Sequence, residues 1–180
     1  MTTAPNDSAP AIFLDRDGTL MREVNYCSDP KLVEIFPGVP AALLKLRAAG
    51  YKLIVISNQA GIGRGYFTEA QYRLVETAVA RAILPATFDA VYFCPDRPDL
   101  ATERRKPAPG MVFEAERDHN IDLAHSFLVG DKAIDIACGR NAGLRTILVK
   151  TGYGANETEA EPNWIAEDLP AAAEIILAQS

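Results

Sequence analysis

"AIFLDRDGTL", residues 11–20, sets an apolar run directly against two aspartates and a Gly-Thr pair. Ala11 to Leu14 are too few to separate strand from helix by periodicity. The Asp17-Gly18 step marks a turn, which favours a short buried strand ending there. If the extended path continues through residue 17, alternation puts Asp15 and Asp17 on one face and Arg16 on the other. Two carboxylates brought close repel, and such a pair needs a cation or a shared proton. An ordinary turn after a strand would look the same locally, so the rest of the chain has to decide.

Working outward, strand-like runs alternate with helix-like ones. "YKLIVISN" (51–58), "FDAVYFC" (88–94), "SFLVGD" (126–131) and "LRTILVKTG" (144–152) read as strands. Helical spacing runs through 38–50, 68–84, 108–120, 132–143 and 168–179. Thr68 is placed to cap the second of these, Gly143 closes the fourth, and Pro109 and Pro170 fall in first turns. Such alternation implies an α/β protein with a parallel sheet covered on both faces. We expect one domain over residues 11–180, after a disordered leader at residues 1–10. The long loops are 18–37, 59–67 and 95–107, and long loops in compact α/β domains are usually functional.

The composition narrows the classes. Of 180 residues, 48% are hydrophobic and 23% charged, a globular balance. A net charge of −6 argues against a broad nucleic-acid surface. No apolar run is long enough for a membrane span, and the first residues lack a secretory signal pattern. Cys27, Cys94 and Cys138 are an odd, widely spaced set, which suggests reduced thiols in a cytoplasm.

In open α/β sheets, ligands bind at the carboxyl ends of strands. Asp15 and Asp17 end the first strand, Ser57 and Asn58 the second, and Gly130 and Asp131 a later one. Lys106 closes the loop after "VYFC". Separate loops thus bring carboxylates, a hydroxyl and an ammonium to one sheet edge, which unrelated turns would not readily do.

These residues give the chain a resemblance to the haloacid dehalogenase-like superfamily of phosphohydrolases. The matching pieces are "DRDGT" (15–19), "VISN" (55–58), Lys106 in "RRKPAPG" and "GDKAID" (130–135), in that family's order. With "SNQAGIGRGYFTEAQ" it looks most like the branch of heptose-bisphosphate and histidinol-phosphate phosphatases. The resemblance implies a Rossmann-like, doubly wound sheet without a large cap domain. It implies Asp15 as nucleophile, forming an aspartyl-phosphate, and Asp17 as general acid and base. It implies Mg²⁺ held by Asp15, Asp131 and the Asp17 main-chain carbonyl. Ser57 would bind a phosphoryl oxygen, and Lys106 would balance charge on phosphate and nucleophile. Asp135 would orient Lys106 or the metal's waters, although a solvated helix carboxylate is its plain alternative. Lys132 is a neighbour of the metal site by resemblance and a surface lysine by default.

Substrate recognition falls to the loops. Arg64, between glycines, and Arg105 are the candidates for a second, non-reacting phosphate. Glu23 and Asn25, in the flap after the first strand, are possible sugar contacts, and Asn58 holds either substrate or loop backbone. One departure from the family concerns residues 93–107, where relatives carry a zinc site of three cysteines and a histidine. Here Cys94 is kept, but Asp96, Thr102 and Arg104 stand at the other positions. A single thiolate cannot close a tetrahedral site, so no zinc is expected. Ion pairs among Asp96, Arg97, Asp99, Glu103 and Arg104 are expected to order the loop instead. His119 and His125 lie away from the motifs, and Trp164 is expected to anchor the C-terminal segment.

The leading expectation is a cytoplasmic, monomeric, Mg²⁺-dependent phosphatase removing the 7-phosphate of a heptose bisphosphate for surface-glycan synthesis, with no nucleic-acid or membrane partner. The alternatives are a histidinol-phosphate phosphatase or another small sugar-phosphate phosphatase, a non-catalytic phosphate-binding module, and a phosphotransferase or DNA-end phosphatase.

Overall fold

The computed structural model describes residues 8–179. Its strands are β1 (Ala11–Leu14), β2 (Lys52–Asn58), β3 (Ala90–Cys94), β4 (Phe127–Gly130), β5 (Arg145–Val149) and β6 (Trp164–Ala166). Its helices are α1 (Val39–Ala48), α2 (Ala60–Gly63), α3 (Glu69–Ala82), α4 (Gly110–His119), α5 (Ala133–Asn141) and α6 (Leu169–Leu177). All strands run parallel in one six-stranded sheet of order β3-β2-β1-β4-β5-β6. This is the doubly wound α/β arrangement, and no cap domain interrupts it among the described residues. No helix among those residues is long and apolar enough to cross a membrane.

The apolar runs lack a polar face because both faces of the sheet are covered. Ile12, Leu14, Val55, Phe127 and Val129 pack toward α1 and α6. Ala11, Phe13, Ile54, Ile56 and Leu128 pack on the opposite side against α4 and α5. All four β1 side chains are fully buried. Fully burying a side chain such as Ile12, Phe13 or Leu14 is worth about 1.5–3 kcal/mol, and β4 beside it is as fully buried, so these two central strands are firmly anchored. Thr68 caps α3: its Oγ1 accepts from Gln71 N, while Gln71 Oε1 accepts from Thr68 N. That helix packs on the segment after β1 through Met21, Cys27, Val75 and Val79.

Several expectations change in detail. Residues 1–7 of the expected leader lie outside the described residues. Ala9 and Pro10 are held to the body: Ala9 N donates to Asn120 O at 3.2 Å, and Pro10 O accepts from Lys52 N at 2.9 Å. Pro109 sits at the N-cap of α4 rather than inside its first turn. Trp164 belongs to an additional edge strand, β6, with its ring centroid 6.1 Å from that of Phe127. The chain fills β1, β2 and β3 on one side, then crosses back to place β4 beside β1. The crevice at the carboxyl ends of β1 and β4 is therefore the topological switch point, where open sheets of this kind bind ligands.

Candidate active site

Asp15 leaves β1 and Asp131 leaves β4 on either side of that crevice. Asp15 N donates to Val129 O at 3.0 Å, which ties the two strand ends together. Lys106 reaches the same place from the loop after β3. Its Nζ lies 2.6 Å from Asp15 Oδ1, 2.7 Å from Asp135 Oδ1 and 2.9 Å from Ile56 O. All these side chains are buried. Burial alone would lower the Lys106 pKa, but Asp135 and Asp15 reverse that and hold it above the ordinary lysine value. The loop carrying Lys106 is clamped by Asn58, whose Nδ2 donates to Lys106 O and whose Oδ1 accepts from Lys106 N, both at 3.0 Å. The amide of Asn58 thus serves loop backbone rather than standing free for substrate. Asp135 is no solvated helix carboxylate: it is buried, holds Lys106, and Oδ2 accepts from Lys132 N at 3.1 Å, closing the first turn of α5.

Asp131 sits in an electrostatic conflict. It is fully buried, and burial, followed by the charge of Asp15, pushes its carboxyl up to about 8. Oδ2 accepts from Tyr153 N at 2.9 Å, whereas Oδ1 is buried with no hydrogen-bond partner. Two glycines make room for it. A Cβ on Gly18 (φ +87°) or on Gly152 (φ +58°) would lie 2.2 Å from Asp131 Oδ2, so both positions exclude any side chain. Carboxylate oxygens of Asp15, Asp131 and Asp135 lie within 4.8 Å of one another. Buried clustered carboxylates with an orphaned oxygen fit a hard divalent cation, which takes oxygen ligands and would relieve the repulsion. Both Asp135 oxygens are engaged, by Lys106 Nζ and by Lys132 N, whereas Lys106 takes a single oxygen of Asp15 and Asp131 Oδ1 has no partner, so Asp15 and Asp131 are the two carboxylates open to that cation.

Asp17 and Arg16 do not divide between faces as alternation suggested. The strand ends at Leu14 and the chain turns, with Arg16 O accepting from Leu20 N at 2.9 Å. The Arg16 side chain therefore folds back on Asp17, with Nη2 2.8 Å from Oδ2 and 3.1 Å from Oδ1. Arg16 Nη1 meets Glu76 Oε1 of α3 at 2.6 Å. Gln59 Nε2 donates to Asp17 Oδ2 at 3.1 Å and to Ser57 Oγ at 2.7 Å. Neither Arg16, Glu76 nor Gln59 was singled out by sequence reasoning. Gln59 follows "VISN" directly, and adjacency to that strand end was the one available signal.

Asp17 opens onto a cleft of about 290 Å³, whose lining includes Glu23, Asn25, Gln59, Lys132 and Tyr153. That size suits a small polar ligand rather than a polymer. Lys132 Nζ pairs with Glu23 Oε2 at 3.0 Å and lies 4.8 Å from the Tyr153 ring centroid. It is a cleft residue, not a surface lysine. Arg64 and Arg105 do not line this cleft. Arg64 is exposed at the end of α2, and Arg105 Nη1 donates to Asp96 O at 2.7 Å. Their loops do adjoin, because Gly63 N donates to Pro95 O at 3.1 Å.

The loop through residues 95–107 is ordered differently from the expected ion pairs. Arg97 pairs with Asp99 at 2.5 Å as anticipated, but Arg104 reaches Glu114 of α4 at 2.7 Å. Asp96 Oδ2 instead accepts from Thr102 N at 3.0 Å and from its hydroxyl at 2.5 Å. The three cysteines are buried and unpaired, and burial pushes the Cys94 thiol up to about 11. His119 sits edge-on to Tyr92, and His125 Nδ1 lies 2.7 Å from Asp122 Oδ2, both away from the crevice.

Known proteins match this arrangement. A family model described as HAD-hydrolase-like matches residues 103–172. A D-glycero-D-manno-heptose-1,7-bisphosphate 7-phosphatase from Thermosynechococcus vestitus is 44% identical over 188 residues, covering 93% of this chain and 95% of the relative. A D-glycero-beta-D-manno-heptose-1,7-bisphosphate 7-phosphatase from Yersinia pestis is 37% identical over 90% of this chain and 92% of the relative. Among solved structures, the D,D-heptose 1,7-bisphosphate phosphatase from B. bronchiseptica, complexed with magnesium and phosphate, superimposes with a TM-score of 0.87. It shares 32% identity, with 95% of this chain and 99% of that one covered. The chain therefore belongs to the haloacid dehalogenase-like superfamily of phosphatases, in the branch that holds the D-glycero-D-manno-heptose-1,7-bisphosphate 7-phosphatases.

Proposed function

We propose that this phosphatase removes the 7-phosphate of D-glycero-D-manno-heptose 1,7-bisphosphate through an aspartyl-phosphate on Asp15, with Mg²⁺ as cofactor. The observation that carries the reading is the buried set at the switch point, where Lys106 bridges Asp15 and Asp135 beside Asp131. A non-catalytic phosphate binder would have no use for buried, mutually repelling carboxylates. Lys106 engages Asp15 Oδ1 and fixes the carboxylate, leaving Oδ2 as the attacking oxygen. As the Asp15–phosphorus bond forms and the ester bond breaks, Asp17 gives its proton to the departing sugar oxygen. Water then opens the aspartyl-phosphate, and Asp17 takes the proton back. Gln59 donates to Ser57 Oγ, which keeps the Ser57 hydroxyl hydrogen for a phosphoryl oxygen. Asp15 and Asp131, with the Asp17 carbonyl, would hold Mg²⁺, which when bound neutralises the carboxylates and orients the phosphoryl group. Lys132 is the cation of the cleft wall, and Arg64 and Arg105, on two loops that adjoin each other outside that wall, are the candidates for the non-reacting phosphate.

The test is phosphate release with Mg²⁺, comparing kcat/KM for both anomers of the heptose bisphosphate and for histidinol phosphate. Preference for a heptose anomer is expected. Preference for histidinol phosphate would overturn the substrate, and failure to turn over any of these or a simple aryl phosphate would overturn the reaction.

A further inference from the structure

Arg16 lies between the two aspartates of "DRDGT", yet no step of the reaction above uses it. It is the bulkiest fully buried side chain among the described residues, only 1% exposed. A buried guanidinium is costly, and a buried ion pair is often no more stabilising than packed apolar residues of the same volume. What distinguishes this one is what it grips. Its Nε and Nη2 both reach Asp17 Oδ2, at 3.1 and 2.8 Å, and Nη2 also reaches Oδ1 at 3.1 Å. The rigid guanidinium plane thereby sets the orientation of the carboxylate, as a lysine's single point charge would not. Glu76, sixty residues on in the sequence, holds the other arm of the fork at 2.6 Å. The Tyr72 ring, one helical turn before Glu76, lies 5.4 Å from Arg16 Cζ. Gln59, which also lines the cleft, completes the hold on Asp17 Oδ2. The Asp17 carboxylate is thus clamped between the turn after β1, α3 and the end of β2, while remaining part of the cleft wall.

We propose that Arg16, braced by Glu76, is the positioning residue for Asp17, fixing its carboxylate where it can protonate the leaving oxygen. This rests on the reading of Asp17 as the proton donor. Neither Arg16 nor Glu76 contacts substrate in this scheme; both act through Asp17.

The experiment compares two monoesters with the Mg²⁺-loaded enzyme: p-nitrophenyl phosphate, whose leaving group departs without a proton, and the heptose bisphosphate, whose alkoxide needs one. The readout is kcat/KM, which stops at the first irreversible step, phosphorylation of Asp15 with loss of the leaving group. Asp17→Asn is the reference and should lose about 100- to 10,000-fold on the sugar ester and far less on the aryl ester. Glu76→Gln keeps the shape and a weaker acceptor, and should lose about tenfold on the sugar ester and under about twofold on the aryl ester. Arg16→Lys keeps the charge but not the fork, and should show the same split more strongly. Equal losses on both esters in the Glu76 and Arg16 variants would mean a merely structural role. Unchanged or higher activity on the sugar ester would mean that the clamp does not serve the donor. Either result overturns the inference while Asp17→Asn still splits. If Asp17→Asn itself loses equally on both esters, the reading of Asp17 as donor falls, and this inference with it.

Discussion

Stripping the divalent cation should make the folded protein sensitive to pH in one direction. Asp131 is fully buried, and burial followed by the charge of Asp15 moves its carboxyl from 3.8 up to about 8. An acid whose folded pKa lies above its unfolded value binds more protons folded than unfolded between the two. Its contribution is complete below the unfolded value and is lost as pH rises through the folded one. In metal-free protein that window runs from about 4 to about 8. At about 1.4 kcal/mol per pKa unit, the span is on the order of 5 kcal/mol. In a chain of 180 residues, about 1 kcal/mol moves the melting temperature by about 2–4 °C, so a fall of roughly 10–20 °C is expected across the window. Burial also raises Asp135, against the pull of Lys106, which adds to the slope in the same sense. A cation held by Asp15 and Asp131 replaces the proton, so saturating Mg²⁺ should flatten the curve and raise it at neutral pH. The assay is thermal unfolding by circular dichroism across this window, in chelator and in Mg²⁺. Asp131→Asn should flatten the chelator curve. A flat chelator curve for the natural chain, or the same slope with and without Mg²⁺, would refute the reasoning.

Other perturbations probe separate parts of the site. Lys106→Met leaves Asp15 and Asp135 buried without their cation; a loss of about 3–5 kcal/mol in denaturant unfolding is expected, together with loss of turnover. Gly152→Ala drives a Cβ to within 2.2 Å of Asp131 Oδ2 at a φ of +58°, so weaker Mg²⁺ binding by calorimetry is expected. Arg64→Ala should raise KM for the bisphosphate far more than for a monophosphate; equal effects would remove Arg64 from recognition of the second phosphate.

The sequence made the frame of the site legible because strand ends are legible. "AIFL", "KLIVISN" and "FLVG" have no polar face, which identified buried parallel strands, and whatever follows such strands gathers at one edge. That placed Asp15, Ser57, Lys106 and Asp131 together without knowledge of any contact. What stayed hidden depends on turns and on where long side chains go. Arg16 was assigned to the face opposite Asp17 on the assumption that the strand reached residue 17; it ends at Leu14, and the turn lets Arg16 fold back on its neighbour. Asn58 and Arg105 carry groups suited to a ligand, yet loop backbone takes the Asn58 amide and one Arg105 nitrogen. β6 is three residues long with its middle side chain exposed, too short and too mixed to show a period. α2 lay inside "QAGIGRGYF", whose glycines read as loop.

The central claim is that Asp15 carries the phosphoryl group between the sugar and water. The most direct measurement is rapid acid quench during turnover of the heptose bisphosphate with Mg²⁺, followed by mass spectrometry of the peptide that contains residues 11–20. The expected result is one added phosphoryl group on Asp15, absent from Asp15→Asn, with the 1-phosphate still on the product. Turnover by Asp15→Asn at a rate comparable to the natural chain, with no phosphorylated peptide in either protein, would contradict it.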